Sequence, residues 1–137
     1  MKRVFVDTSG FLALLVPEDQ WHGNAAPIFE QANRERWVLV TSNFVIIEAY
    51  AVLLIRAGRK EAISFLDMVF GDAYRIERVR QEDEERAIAL VRAHEDKHYS
   101  LCDALSFVLM ERLGIHEAIA FDRHFRSYGR FTVLESS

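Results

Sequence analysis

Short runs rich in β-branched and aromatic residues, at 4–6, 38–40, 74–79, 118–121 and 131–134, alternate along this chain with stretches long enough for helices. Strands kept apart by a helix's length of chain do not pair as hairpins. They pair in parallel through crossover connections, and each crossover lays a helix on a face of the sheet. The expected fold is therefore α/β, a central parallel sheet of about five strands flanked by helices on both faces. Helices are expected near residues 10–16, 21–34, 43–56, 59–70, 82–97 and 101–113. Pro17 stops the first, Gly58 separates the third from the fourth, and Gly114 closes the sixth. Proline cannot continue a helix, and glycine accepts the backbone turn that ends one.

The length of 137 residues suits a single domain over 1–137, and no repeat, linker or low-complexity tract divides it. Half the residues are apolar and 28% are charged, enough to bury a core. The one cysteine, Cys102, has no partner for an internal disulfide, and the start MKRVFVDTSG lacks the apolar segment of a secretion signal. A reducing cytoplasm is the expected location. The longest apolar stretch, residues 44–55, is too short to span a bilayer and contains Glu48, so no membrane span is expected. A net charge of −4 argues against holding nucleic acid through a broad positive field. Contacts to phosphate would fall to local groups such as Arg56, Arg59 and Lys60, or Arg123, His124 and Arg126.

Four acids stand out by their settings. Asp7 follows the first strand and Asp122 follows the run Ile119-Ala120-Phe121, so parallel strands place both on the rim where such sheets bind ligands. Each also suits a helix cap, a role that explains either residue but not the pairing. Glu48 is the only charged residue in 44–55, a helix expected to be buried nearly all round. Desolvating a carboxylate costs several kcal/mol, so Glu48 needs an ion-pair partner or a cleft. Asp103 lies three residues after Ser100, the spacing of a capping box, and taken alone reads as a cap. Ser106, one turn on, can bond that carboxylate or its own helix.

If the four acids converge, they repel. Two carboxylates about 4 Å apart cost roughly 4 kcal/mol at an effective dielectric near 20, so the cluster needs a cation or shared protons. Oxygen ligands select hard cations, Mg²⁺ or Mn²⁺. Such a cation activates water and stabilises a leaving oxygen, and phosphodiester hydrolysis follows as the reaction class.

The segments V-F-V-D-T-S-G-F-L-A-L-L around Asp7, F-V-I-I-E-A around Glu48, Y-S-L-C-D-A-L-S-F around Asp103 and A-F-D-R-H-F around Asp122 together resemble the PIN-domain nucleases, and among them the VapC-like toxins of toxin–antitoxin pairs. The resemblance spans nearly the whole chain through the order and apolar settings of its pieces. It implies a PIN-like parallel sheet, a site of acids binding Mg²⁺ or Mn²⁺, and endonucleolytic cleavage of RNA. Asp7 and Asp103 would be the principal metal ligands and Asp122 would complete the site. Glu48 would orient a water on the metal or hold a second ion, and Ser9 and Ser106 would orient the carboxylates. Ala120 stands where many relatives carry a hydroxyl two residues before the last acid, which leaves the role of Asp122 open. The resemblance further implies tRNA or rRNA as substrate, a cognate antitoxin whose segment enters the acidic groove, and a homodimer.

Two other phosphoryl-chemistry folds fail on residues. A haloacid-dehalogenase-like phosphatase needs a second aspartate where Ser9 stands, and a response-regulator receiver needs one at the end of a middle strand that reads V-L-V-T-S. A PIN nuclease that processes RNA without being a toxin, and a PIN-fold module that binds without cutting, remain as alternatives. His22, His98, His124 and Cys102 are expected to have no catalytic part, and Trp21 and Trp37 are expected to pack.

Overall fold

A computed structural model describes residues 1–135, so the last two residues of the expected domain lie outside it. Five strands and seven helices are present among the described residues. In chain order they are β1 (Arg3–Val6), α1 (Thr8–Leu15), α2 (His22–Arg34), β2 (Val38–Ser42), α3 (Asn43–Arg56), α4 (Arg59–Val69), β3 (Tyr74–Glu77), α5 (Gln81–Ala93), α6 (Leu101–Leu113), β4 (Glu117–Ile119), α7 (Arg123–Tyr128) and β5 (Thr132–Val133).

All neighbouring strands are parallel, in the order β3-β2-β1-β4-β5. The chain steps outward from β1 to β3, then crosses back to start β4 on the other side of β1. With right-handed crossovers, α1–α4 cover one face and α5–α7 the other. The reversal falls between β1 and β4, and the carboxyl ends of those two strands frame the crevice in which such sheets bind ligands. Val4 and Val6 alternate with Phe5, and all three are fully buried, so β1 is covered on both faces. Gly10 lets α1 lie against β4: a Cβ there would come within 2.6 Å of the Ile119 carbonyl oxygen.

Several boundaries differ from the sequence expectation, and for β4 and β3 a side chain claims the backbone groups that would have continued the strand. β4 stops at Ile119, since the N–H groups of Phe121 and Asp122 donate to Ser9 Oγ at 2.9 and 3.2 Å. β3 stops at Glu77, and Val79 N–H donates to Asn43 Oδ1 at 2.9 Å while Arg80 N–H donates to Asp83. α5 ends at Ala93 rather than near residue 97. β5 keeps two of its four expected residues, and β2 runs on to Ser42, whose hydroxyl caps α3. The six-residue α7 was not expected at all. It is held by tertiary packing, with fully buried Phe125 edge-on to Phe107 at 4.9 Å and Tyr128 stacked on Phe107 at 4.2 Å.

The largest correction concerns α3. Its buried stripe is Val45, Ile46, Ala49 and Leu53, whereas Ile47 is 66% and Ile55 86% exposed, with Ala51 and Leu54 between them on the outer face. The helix is apolar all round but covered on one side only. The helix that is buried on every side is α6, from Asp103 through Met110.

Candidate active site

Asp7 leaves β1 and caps α1, its carboxylate accepting the N–H of Ser9 at 3.2 Å and the hydroxyl of Ser9 at 2.8 Å. The same Ser9 oxygen accepts the two N–H groups that follow β4. One hydroxyl thus ties the ends of β1 and β4 together beside the crevice. Asp103 is the third residue of α6 and closes a capping box with Ser100, whose N–H reaches its Oδ2 at 3.3 Å. Asp122 caps α7 through the N–H of His124 at 2.8 Å. Each acid is therefore a cap, as its local sequence indicates, and the fold still brings them together.

A cavity of about 350 Å³ is lined by Asp7, Glu48, Asp103, Asp122, Ser9 and His124, among others. Asp7 and Asp103 are buried, and Glu48 and Asp122 are half-buried. Among the described residues Glu48 has no ion pair, which leaves the cleft as its setting. Ser106 does not fulfil its expectation: its Oγ is buried without a hydrogen-bond partner and does not line the cavity. A larger cavity, about 500 Å³, opens elsewhere, at the start of β2 and β3, among Phe29, Trp37, Met68 and Tyr74. It gathers no cluster of acids, so volume and chemistry point to different places, and chemistry locates the candidate site.

His124, two residues beyond Asp122, reads in the sequence as a local phosphate contact and is expected to have no catalytic part. Its Nδ1 is 2.8 Å from Asp103 Oδ2 and 3.4 Å from Asp122 Oδ1, and its ring meets Tyr99 edge-on. Atoms of Asp103, Asp122 and His124 all lie within 4.8 Å of one another, a spacing that fits one ion. By contrast His22 places Nδ1 2.9 Å from the Ala13 carbonyl, a structural contact.

Electrostatics matches the geometry. Burial, opposed by the Ser9 bonds and reinforced by Asp103 and Asp122, pushes the Asp7 carboxyl up to about 7. Burial and then Asp122 raise Asp103 too, against the bonds from His124 and Ser100. Burial raises both carboxyls, and repulsion among the acids adds to it with no cation beside them to offset either effect. A divalent cation meets that need, and the oxygen-rich donor set fits a hard one. Burial raises the Cys102 thiol well above its usual range, so a thiolate nucleophile is disfavoured.

Comparison with known proteins adds an independent line. The sequence profile described as PIN domain matches residues 4–130. Two curated sequences from Mycobacterium tuberculosis strains, each described as 23S rRNA-specific endonuclease VapC20, are 34% identical over 126 residues, covering 92% of this chain and 94% of theirs. The crystal structure of M. tuberculosis VapC20, described as a Sarcin-Ricin loop cleaving toxin, superposes with a TM-score of 0.83 at 34% identity, over 93% of this chain and 95% of that one. A toxin–antitoxin complex from Klebsiella pneumoniae superposes at 0.63 with 14% identity, over 98% of both chains. FitAcB from Neisseria gonorrhoeae does so at 0.63 with 10% identity, over 96% of both. The last two share the fold alone.

Proposed function

The chain belongs to the PIN-domain family as a VapC-like ribonuclease, and on that premise we propose that it cuts RNA endonucleolytically at the acidic crevice with Mg²⁺ or Mn²⁺. The domain is a single one over residues 1–137. Asp7, Asp103 and Asp122 hold the cation and Glu48 orients the attacking water. When bound, the cation activates water and stabilises the leaving oxygen of the phosphodiester. The observation that carries this reading is the burial of Asp7 beside Asp103 and Asp122 with Asp7 raised to about 7. Ser9 fixes the Asp7 carboxylate and the β4 end as one unit, and the imidazole of His124 fixes Asp103 against Asp122. Exposed Arg123, beside the site, is placed to meet a phosphate.

Ribosomal RNA is the favoured substrate and tRNA the second, by analogy with the rRNA endonuclease to which the chain is similar. A cognate antitoxin inserts a segment into the acidic groove, an arginine on it facing the carboxylates. Two copies pair through the apolar outer face of α3. No helix among the described residues is long and apolar enough to cross a membrane, and the cytoplasm is the proposed place of action.

The test is cleavage of purified rRNA and tRNA with Mg²⁺, with Mn²⁺ and with excess EDTA, circular dichroism reporting the fold. Cleavage with either metal and none in EDTA, at unchanged helix content, is the expected result. Equal cleavage in EDTA contradicts the metal mechanism.

A further inference from the structure

Trp21, at the start of α2, leaves 40% of its surface exposed and stacks on Phe121, the ring centroids 5.7 Å apart and the planes 13° from parallel. Between these rings, Asn24, Arg126 and Glu135 opens a cavity of about 190 Å³. Resting on the ribonuclease reading above, we propose that this pocket is a nucleobase subsite, holding one unpaired base of the RNA beside the phosphate that is cut.

The location supports this first. Phe121 and Asp122 are consecutive, so their Cα atoms are about 3.8 Å apart, and both backbone N–H groups are fixed by the Ser9 hydroxyl that bonds Asp7. Glu135 follows β5, at the same carboxyl rim of the sheet as Asp7. A base on this platform is thus held by the residue adjoining a proposed metal ligand, where a strand crossing the crevice passes. Size comes second. The cavity is smaller than the roughly 300–1,000 Å³ that takes a drug-sized ligand, and suits one ring system. Chemistry is the third support. Aromatic faces that are partly exposed and already nearly parallel accept a further ring by stacking, which every base can do. Arg126 and Glu135, paired at 2.8 Å, put donors and acceptors at the edge of the pocket, and Asn24 adds both. A base enters such a slot only when it is out of a helix, so the substrate class is single-stranded or looped RNA rather than continuous duplex.

The test uses Trp21 as its own reporter. Trp37→Phe leaves Trp21 the only indole, and Asp7→Asn in the same chain disables cleavage, so a short single-stranded oligoribonucleotide can be titrated in Mg²⁺ while Trp21 fluorescence and the anisotropy of an end label are read together. Quenching of Trp21 that follows the anisotropy, and that is weaker when the strand is annealed to its complement, is the expected result. In the otherwise wild-type chain, Trp21→Ala should lower kcat/KM for RNA by roughly 5- to 150-fold, the span of one base–aromatic stack, and Trp21→Phe should recover most of it. Anisotropy that rises with no change in Trp21 emission overturns the subsite, as does wild-type kcat/KM in Trp21→Ala. If wild-type protein cleaves RNA in those cases, the ribonuclease reading stands without the subsite. If wild-type protein neither binds the oligoribonucleotide nor cleaves it, rRNA or tRNA in Mg²⁺ or Mn²⁺, both fail.

Discussion

Asp7 concentrates the site's energetics in one residue. It caps α1, accepts two bonds from Ser9 and is 3% exposed, yet its carboxyl is raised from 3.8 to about 7. A group whose folded-state value lies above its unfolded one contributes stability that is complete below the unfolded value and is lost as pH rises through the folded one. Asp103, also raised, acts in the same direction. The metal-free protein should therefore lose stability between about pH 4 and about pH 7, on the order of 4 kcal/mol in all from Asp7 alone. Saturating Mg²⁺ should flatten that slope, since the cation replaces the proton. Thermal melts across this range, in EDTA and in Mg²⁺, read both; a melting temperature in EDTA that holds or climbs with pH contradicts the crowding of these acids.

At the scale of elements, the sequence carried most of what periodicity and capping can carry. α3 and α6 begin and end where their apolar patterns, Gly58 and Gly114 place them. What it concealed were contacts made across the fold. β4 is cut short by a serine more than a hundred residues earlier in the chain, and α7 exists because Phe125 meets Phe107. No local pattern announces either. α3 is the instructive error, because composition reports how apolar a helix is and not how much of it the protein itself covers. Its exposed Ile47, Ala51, Leu54 and Ile55 recur at helical spacing on one face, the face through which the proposed dimer pairs. Ile55→Glu, on this outer face and away from the acidic crevice, should shift a dimer toward monomer with little change in melting temperature. Light scattering after size exclusion measures it; an unchanged dimer places the interface elsewhere.

Across the whole molecule, the reversal of strand order between β1 and β4 turns caps into a site. Asp7, Asp103 and Asp122 each satisfy a helix N-terminus locally, which is why each was ambiguous in sequence, and the topology brings those termini to one rim. Glu48 was the most legible of the four, since a carboxylate amid apolar residues requires an explanation. His124 was not legible, because its meaning lies in the position of Asp103, reached only through folding. A VapC-like chain whose crevice takes an antitoxin should arrest a bacterial host when expressed alone and be tolerated when its antitoxin is expressed beside it, as growth curves would read. Harmless accumulation of active enzyme favours an RNA-processing role.

The central claim is that the four acids form one metal-dependent hydrolytic centre, rather than three separate caps and a lone glutamate. Asparagine caps a helix as well as aspartate does, so Asp7→Asn and Asp103→Asn keep the capping role and remove the charge. The measurement is the rate of endonucleolytic RNA cleavage by these two variants and by wild-type protein in saturating Mg²⁺ or Mn²⁺. A loss beyond about 100-fold in each, the upper range for groups that only support metal ligands, is the result this account predicts. Cleavage by both at near wild-type rates would contradict it.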